Sequence, residues 1–392
     1  MEYSFSNRIS GLQPSIIREI LKASEGKGII PFSAGNPAAE TFPVEAIRSF
    51  TQAILEKDPV AALQYGLSEG YTPLRQVIRQ RFAASMGPER ESDSLFVVSG
   101  AQQGIELACK VLCNEGDTII CESPSFIGAL NSFRSLGARL AGVPMEEDGL
   151  NLEALEHALK TEPNAKLLYL IPSFQNPTGI TTSLEKRKAI YALAKEYGVM
   201  ILEDNPYGEL RFRGEDLPTL KSMDEDGLVI YVGSFSKILS AGLRVGFVLA
   251  PNAIMNKMVV AKQGEDVHTA MLPQLLAYKF LTEYDYDGHI SLIRDVYRRK
   301  SGLMLDSIKA HFNPAITYTE PEGGLFLWCT LPPEISMIDY CKKAAAQGVA
   351  VVPGNAFLIR EDEPCNAFRL NYSTPSDEQI QKGIEILAQV SY

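Results

Sequence analysis

Short runs of apolar, β-favouring residues alternate with longer helical patterns through the middle of this chain, and this alternation limits the possible folds more than any other feature. The runs are LFVVS at 95–99, DTIICE at 117–122, KLLYLIP at 166–172, VMILEDN at 199–205, LVIYVGS at 228–234 and VGFVLA at 245–250. The intervening segments, such as QQGIELACKVLCN, carry apolar residues at helical spacing. Strands separated by helices usually pair in parallel, so the pattern predicts a three-layer α/β domain with a mainly parallel sheet.

The pattern changes after about residue 285, where a long charged helix precedes short strands and a final helix. Such a segment is typical of a smaller α+β domain. The N-terminal residues are amphipathic and then extended, and we expect them to pack with the smaller domain. We therefore predict a large domain over residues 46–285 and a small domain formed by residues 1–45 and 286–392. A chain of 392 residues is long enough for both.

Charge and cysteine usage exclude several classes of function. A net charge of −11 disfavours nucleic acid as a partner, because binders of polyanions need a basic face. None of the six cysteines stands in a CxxC pair and the four histidines are scattered, so no metal site is expected. We interpret the cysteines as free thiols of a cytoplasmic protein. Neither a signal-peptide pattern nor a long apolar run is present, so we expect no export and no membrane insertion.

The strongest chemical signal is a lysine that directly follows the predicted strand LVIYVG. It lies in Ser234-Phe235-Ser236-Lys237, and Arg244 follows within GLRVG. An amine among small hydroxyl residues, with an arginine seven positions on, suits an imine-forming lysine with phosphate ligands around it. The alternative is a surface loop lysine, which is the commoner environment of this residue type.

Three polar residues follow two other predicted strands. Asp204 lies near the end of ILEDN, and a carboxylate at the carboxyl end of a parallel strand lies where open α/β sheets bind ligands. It would hold a pyridine nitrogen protonated, while Tyr207 and Asn176 donate to a phenolic oxygen of the same ring. Taken singly, Asp204 is also typical of a strand end or helix cap, and NPTG is also typical of a simple turn.

A phosphate site is indicated where SGAQQG, at 99–104, follows the strand LFVV and opens a helix. The free N–H groups and the positive dipole end of a helix bind anions, although an ordinary strand-to-helix turn has the same pattern. The proposed ligands are Gly100, Ala101, Gln102, Ser234, Ser236 and Arg244.

Two further residues complete the candidate site. Phe126, in ESPSF, would stack on a flat ring and exclude water, with a core aromatic as the alternative. Arg369 lies inside the apolar strand AFRLNYS, where an arginine is unfavourable unless an anion pairs with it. A structural ion pair is the alternative there.

Taken together, these motifs resemble the fold-type I, pyridoxal-phosphate-dependent aminotransferases of class I/II. SGAQQG, NPTG, EDNPY, SFSK…GLRVG, QYG and FRLNYS match the family over nearly the whole chain and in its order. The resemblance implies the type I PLP-transferase fold, with pyridoxal 5'-phosphate as the cofactor. It also implies transfer of an amino group from an L-amino acid to a 2-oxo acid, with 2-oxoglutarate as the expected acceptor.

The resemblance implies a role for each motif residue. Lys237 would join the cofactor and shuttle the proton, with Asp204 at the pyridinium nitrogen and with Tyr207 and Asn176 at the phenolic oxygen. Tyr65, in QYG, would reach the phosphate bound in the neighbouring subunit, so the active site would require a homodimer. Arg369 would grip the α-carboxylate of the substrate.

The N-terminal SIIREILK and FSAGNPAAETFPVEAI further resemble the aminoadipate, kynurenine and aromatic aminotransferases. In that subgroup Gly35 lies close to the substrate carboxylate, and an arginine of the N-terminal helix meets a side-chain carboxylate. Arg18 is the candidate for that arginine. Many relatives carry tyrosine where this chain has Phe126, so any contact made by that hydroxyl is absent here.

Two alternatives share most of these contacts. A PLP-dependent β-lyase acting on cysteine conjugates would bind the cofactor in the same way, and so would the non-catalytic effector domain of a transcriptional regulator. Such regulators carry a basic helix-turn-helix before this domain, and too few residues precede PFSAGNP here to form one. We therefore expect an enzyme, with the identity of the amino acid donor left open.

Overall fold

The computed structural model describes residues 3–10, 28–360 and 362–390. Its main sheet has eight strands in the order β1-β8-β7-β6-β5-β2-β3-β4. They are β1 (Asp93–Val98), β2 (Thr118–Ser123), β3 (Arg139–Glu146), β4 (Gly149–Leu150), β5 (Ala165–Leu170), β6 (Met200–Asn205), β7 (Val229–Ser234) and β8 (Gly246–Pro251). The six predicted strands are all confirmed, as β1, β2, β5, β6, β7 and β8.

The described α-helices flank this sheet and a second, smaller one. They are α1 (Asn7–Ser10), α2 (Val44–Lys57), α3 (Pro59–Leu63), α4 (Thr72–Arg81), α5 (Ala83–Met86), α6 (Ala101–Leu112), α7 (Ile127–Ser135), α8 (Leu152–Thr161), α9 (Leu184–Tyr197), α10 (Leu220–Met223), α11 (Asn252–Gln263), α12 (Met271–Glu283), α13 (Tyr286–His311), α14 (Met337–Ala346) and α15 (Asp377–Gln389). Short 3-10 turns lie at Ala39–Thr41, Gly208–Leu210 and Gly354–Phe357. Within the described ranges, no helix combines the length and the apolar character needed to cross a lipid bilayer.

The prediction of a mainly parallel sheet is confirmed. Neighbours among β3, β2, β5, β6 and β7 pair in parallel, whereas β8 runs antiparallel to both β1 and β7. Because β8 is reversed, β1 points the same way as β7. The carboxyl ends of β1, β5, β6 and β7 therefore lie along one edge of the sheet, which is where open α/β sheets bind their ligands.

Alternate residues of the central strands pack into different cores, which explains the three layers. In β5, Leu167 and Tyr169 join one hydrophobic cluster, while Leu168 and Leu170 join another. Helices α6 and α7 contribute to the first cluster, and α8 and α9 contribute to the second. Strands that are buried on both faces have continuous apolar runs in the sequence, and these central strands were predicted for that reason.

The strand β3 was not predicted, and its environment explains why. It lies near the end of the sheet, and most of its residues are exposed or half-buried. Gly142 and Pro144 interrupt it, so no apolar run marks it in the sequence. The two residues of β4 pair back onto it as a short antiparallel hairpin.

The second sheet is antiparallel, with the strand order β11-β12-β10-β9. Its strands are β9 (Thr317–Tyr318), β10 (Phe326–Thr330), β11 (Val352–Pro353) and β12 (Ala367–Asn371). The expected smaller α+β portion is thus present, with α13 and α15 packed together beside it. Ile30 bridges to Val349, so this part of the N-terminal region contacts the smaller portion. The domain boundaries at 45/46 and 285/286 stay a prediction.

Candidate active site

A cavity of about 340 Å³ opens at the edge of the main sheet where the strands carrying the motifs end. Its lining brings together residues from β6, β7, β10, β12 and the start of α6, although they are far apart in the sequence. Most of the predicted site residues line it, namely Gly35, Ala101, Gln102, Phe126, Asn176, Asp204, Tyr207, Ser234, Ser236, Lys237, Arg244 and Arg369.

Asp204 supplies a buried carboxyl group near the end of β6. Its Oδ2 accepts a hydrogen bond from the Tyr169 hydroxyl at 2.8 Å, while Oδ1 has no partner among the described residues. Burial raises the pKa of Asp204 to about 7, and the hydrogen bond from Tyr169 opposes that rise. One carboxylate oxygen is therefore held by the protein and the other is free to accept a proton-bearing group.

Lys237 lies three residues beyond the end of β7, and its Nζ donates to the Gly35 carbonyl at 2.7 Å. Burial lowers the pKa of Lys237 to about 8, and the positive charges of Arg369 and Arg244 contribute to that lowering. An amine with a lowered pKa is neutral in a larger fraction of molecules at physiological pH. Lys237 therefore lines a cavity with its pKa lowered, unlike the surface loop lysine considered as the alternative.

Asn176 links two other predicted residues. Its Nδ2 donates to the Tyr207 hydroxyl over a long 3.5 Å, and its Oδ1 accepts from Arg369 Nη1 at 2.9 Å. The turn that holds Asn176 is fixed by Gln175, whose Oε1 accepts from both the backbone N–H and the hydroxyl of Thr178. The NPTG segment is thus a turn that also presents its asparagine to the cavity.

Arg369 is a buried cation in the middle of β12, only 2% exposed. Its Nη2 donates to the Ser33 carbonyl at 2.8 Å, and its guanidinium lies 4.2 Å from the centre of the Phe326 ring and 5.0 Å from that of Phe357. Burial lowers its pKa to about 10. Among the described residues its hydrogen bonds go to Asn176 and to the carbonyls of Ser33 and Ala34, so the structural ion pair considered above is not found there.

Arg244 lies against the N-terminus of α6. Gly100 precedes α6 with φ +83°, and a Cβ there would lie 2.1 Å from Nη2 of Arg244, so the guanidinium packs directly against it. Arg244 Nη1 also approaches the Ser236 hydroxyl at 3.5 Å. A helix N-terminus, hydroxyl groups and a guanidinium are the donors that bind phosphate. Only the backbone N–H of Gln102 is available to an anion, because its side-chain amide donates to the Gly128 carbonyl and to the Ser132 hydroxyl.

Phe126 lines the cavity where α7 begins, and it is half-buried against the main core. A Cβ at Gly128 would lie 2.5 Å from the tip of its ring, so the absence of a side chain at 128 lets the ring lie flat over that turn. The two readings of Phe126, ring stacking and core packing, are therefore compatible.

Among the described residues, two predicted positions do not line this cavity, namely Gly100, which packs against Arg244 beside it, and Tyr65. Tyr65 is 81% exposed and contacts the His268 ring edge-on, at 5.7 Å between ring centres. Its expected contact with a neighbouring subunit stays a prediction. Arg18 and the helix SIIREILK lie outside the described residues.

Six residues of the site or its immediate support were not predicted. Two of them adjoin predicted positions in the sequence, so the neighbouring motif was an available signal: Asn36 follows Gly35, and Pro206 precedes Tyr207. The others are apolar or aromatic residues in or beside predicted strands and helices, where nothing in the sequence separates them from the core. They are Ile105, Ile171 and Phe326 in the lining and Tyr169 behind Asp204.

Comparisons of sequence and fold with known proteins point to one family. The family model for aminotransferases of class I and II matches residues 27–387. The chain is 38% identical to aromatic-amino-acid aminotransferase 1 of Thermococcus litoralis, over 99% of this chain and 94% of that protein. It is similar to the kynurenine aminotransferase of Pyrococcus horikoshii, solved with PMP, KYN and KYA, with a TM-score of 0.94 and 36% identity over 98% and 96% of the two chains. A third relative is the alpha-aminoadipate aminotransferase of Thermus thermophilus, solved with N-(5'-phosphopyridoxyl)-L-leucine, with a TM-score of 0.90 and 39% identity over 98% and 96%.

Proposed function

The chain belongs to the class I and II aminotransferases, and from that premise we propose a role for each residue of its cavity. It is a pyridoxal-phosphate-dependent enzyme that transfers amino groups, in the subgroup of the aromatic, aminoadipate and kynurenine aminotransferases. The predictions of the family, the fold and the cofactor are confirmed. The roles of the individual residues and the substrates are proposals.

The cavity residues fit the cofactor on grounds of charge and hydrogen bonding. The Oδ1 atom of Asp204 is buried without a partner among the described residues, which suits a protonated ring nitrogen. Arg244 packs over Gly100 where a side chain would collide with it, which suits a phosphate group bound at the start of α6. The observation that carries the proposal is the presence of Lys237 in the same cavity as that free carboxylate oxygen.

When bound, pyridoxal phosphate supplies an aldehyde that joins amines and a ring that withdraws electrons from the substrate Cα. We propose that Lys237 would hold the cofactor through its Nζ and, when that amine is free, would act as the base that moves the proton of the substrate Cα. Asp204 holds the proton of the ring nitrogen. Tyr207 and Asn176 would donate to the phenolic oxygen, and Phe126 would shield the ring from water.

The phosphate would be held by three kinds of donor, in keeping with its charge. The backbone N–H groups at the start of α6 lie at the positive end of the helix dipole. Hydroxyl groups add direct hydrogen bonds, and one guanidinium adds a charge-assisted one. The residues proposed for this role are Gly100, Ala101, Gln102, Ser234, Ser236 and Arg244.

The substrate would be held through its α-carboxylate. Arg369 presents a cation whose Nε has no partner among the described residues, and it already donates to Asn176. At Gly35, a Cβ would come within 3.5 Å of the Phe326 ring, so glycine keeps this side of the cavity open. Arg18, outside the described residues, is proposed for a side-chain carboxylate. Since the relatives are named for aromatic amino acids, kynurenine and aminoadipate, we propose a donor with a large side chain and 2-oxoglutarate as the acceptor.

We further propose a homodimer in the cytoplasm. Tyr65 stands among exposed apolar side chains, with Val60, Leu63 and Leu67 each more than half exposed. Several exposed apolar side chains within eight residues of the chain are typical of a subunit interface, and they support the role of Tyr65 at the neighbouring subunit's phosphate. The cytoplasmic location is supported by six free cysteines, since a reducing compartment keeps thiols unpaired.

Chemical trapping tests the central assignment. Borohydride treatment of the loaded enzyme, followed by peptide mass spectrometry, should place a pyridoxyl group on Lys237. Lys237→Ala should lose the label and all turnover of an amino-donor panel with 2-oxoglutarate. Lys257→Ala, a change at an exposed lysine of α11, should retain both. A label on another lysine, or turnover by Lys237→Ala, would overturn the proposal.

A further inference from the structure

A buried tyrosine lies behind the candidate site and was not among its predicted residues. Tyr169 is wholly buried in β5, and its hydroxyl donates to Oδ2 of Asp204 at 2.8 Å. The other oxygen of Asp204 has no partner in the part of the chain that the structure describes. The two carboxylate oxygens are thus distinct, because one is occupied by the protein and one is available.

The fold fixes the position of this hydroxyl. Tyr169 lies opposite Leu202 of β6 and Cys121 of β2 in the parallel register. Its ring packs edge-on against Phe133 of α7, with 5.4 Å between ring centres. Because these neighbours belong to the close-packed main core, the hydroxyl cannot leave Asp204 without moving the ring out of its packing.

We propose that Tyr169 is a positioning residue of the amino-transfer site. By donating to Oδ2 it orients the Asp204 carboxylate and favours its anionic form, so that Oδ1 alone is presented to the ring nitrogen of the cofactor. This inference rests on the proposed function of Asp204, and it adds a residue that does not line the cavity.

The charges around Asp204 explain why such a donor matters. Burial raises the pKa of Asp204 to about 7, and burial also raises the pKa of the nearby Glu122 to about 7. The charge of Asp204 contributes to the raised pKa of Glu122, and it also contributes to the raised pKa of the nearby Tyr207. Glu122 receives hydrogen bonds from the Ile171 N–H and from Gln175.

Asp204, in contrast, receives only the bond from Tyr169 among the described residues. Without it, desolvation would favour the neutral acid, which holds a ring-nitrogen proton poorly. The bond therefore tips the ionisation of this carboxyl group toward the charged form.

The test is Tyr169→Phe, which removes the hydroxyl and keeps the ring. Two ligands would be titrated into the apo-protein: pyridoxal phosphate and 1-deazapyridoxal phosphate, in which CH replaces the ring nitrogen. A hydrogen bond to a charged group predicts that pyridoxal phosphate binds roughly 10- to 100-fold more weakly, while the deaza compound binds as it does to the wild type. Tyr340→Phe is the matched control, because Tyr340 is equally buried but donates to the Leu387 carbonyl.

A double-mutant cycle completes the experiment. In an Asp204→Asn background, Tyr169→Phe should cause no further loss of pyridoxal phosphate affinity, because the anion that it supports is gone. Equal losses for both ligands would indicate a packing role and would overturn the inference, as would unchanged affinity for pyridoxal phosphate. A wild type that binds neither ligand would defeat the proposed function itself, so the two failures are distinguishable.

Discussion

Gly100→Ala is expected to weaken cofactor binding in a protein that still folds. Gly100 has φ +83°, and a Cβ at this position would lie 2.1 Å from Nη2 and 2.6 Å from Cζ of Arg244. To reach van der Waals contact at about 3.5 Å, the guanidinium has to withdraw by about 1.4 Å. Because Nη2 is the far end of a flexible side chain, the protein can accommodate this shift and still fold.

Two separate magnitudes follow from that geometry. Placing alanine at a strained positive φ costs about 1–3 kcal/mol of folding stability. Withdrawing the guanidinium weakens a charge-assisted hydrogen bond to the phosphate, which contributes about 1.5–3 kcal/mol. The dissociation constant of pyridoxal phosphate should therefore rise roughly 10- to 150-fold.

Gly116→Ala is the matched control, because Gly116 has φ +88° and a Cβ there would meet nothing within 4 Å. Thermal unfolding of the apo-proteins should show similar losses for the two variants, since both carry the backbone strain. Titration with pyridoxal phosphate should show weakened binding for Gly100→Ala only. If Gly100→Ala bound the cofactor as tightly as Gly116→Ala, the phosphate would not be held by Arg244 at this helix start.

Three further predictions address the other side chains. Arg369→Lys keeps the charge but loses the paired donors of the guanidinium. Steady-state kinetics should therefore show a KM for the amino donor raised roughly 10- to 100-fold. An unchanged KM would show that Arg369 does not bind the carboxylate. Because the pKa of Lys237 is lowered to about 8, its amine is neutral above that pH, and the rate at which apo-protein attaches pyridoxal phosphate should rise with a midpoint near pH 8. Arg369→Met should move this midpoint upward by removing a positive charge, and a fixed midpoint would contradict the electrostatic cause. Tyr65→Ala and Lys237→Ala chains are each expected to be inactive, but a dimer of one with the other contains one intact site. An equal mixture should therefore recover activity at about a quarter of all sites. No recovery after verified subunit exchange would place Tyr65 outside the partner's site.

The sequence predicted those parts of the fold that carry a strong local signal. Strands such as β6 and β7 are buried on both faces, so their apolar runs are continuous and their bounds came out within two residues. The reversal of β8 could not be predicted, because the apolar run of a strand does not encode its direction. Strand β3 was missed because an exposed strand near the sheet end has no core face to repeat in its sequence.

The residues of the candidate site also fall into those that the sequence predicted and those that it did not. Asp204, Lys237 and Arg369 are charged residues in or directly after apolar strands, and such residues stand out because burying a charge is unfavourable without a partner. Tyr169 and Phe326 are aromatic residues inside apolar strands, so they look the same as core residues in the sequence. Only the spatial placement of one hydroxyl and one ring shows that they contact Asp204 and Arg369.

The charge of the cavity is opposite in sign to that of the chain. The whole protein carries a net charge of −11, whereas the described lining of the cavity contains the cations Lys237, Arg244 and Arg369 and one carboxyl group, that of Asp204. A net charge of this sign does not favour the long-range approach of a phosphorylated cofactor. Burial lowers the pKa of both Lys237 and Arg369, and a bound anion would relieve that unfavourable charge. Salt screens buried charges far less than exposed ones, so the preference for anions resides in these three side chains.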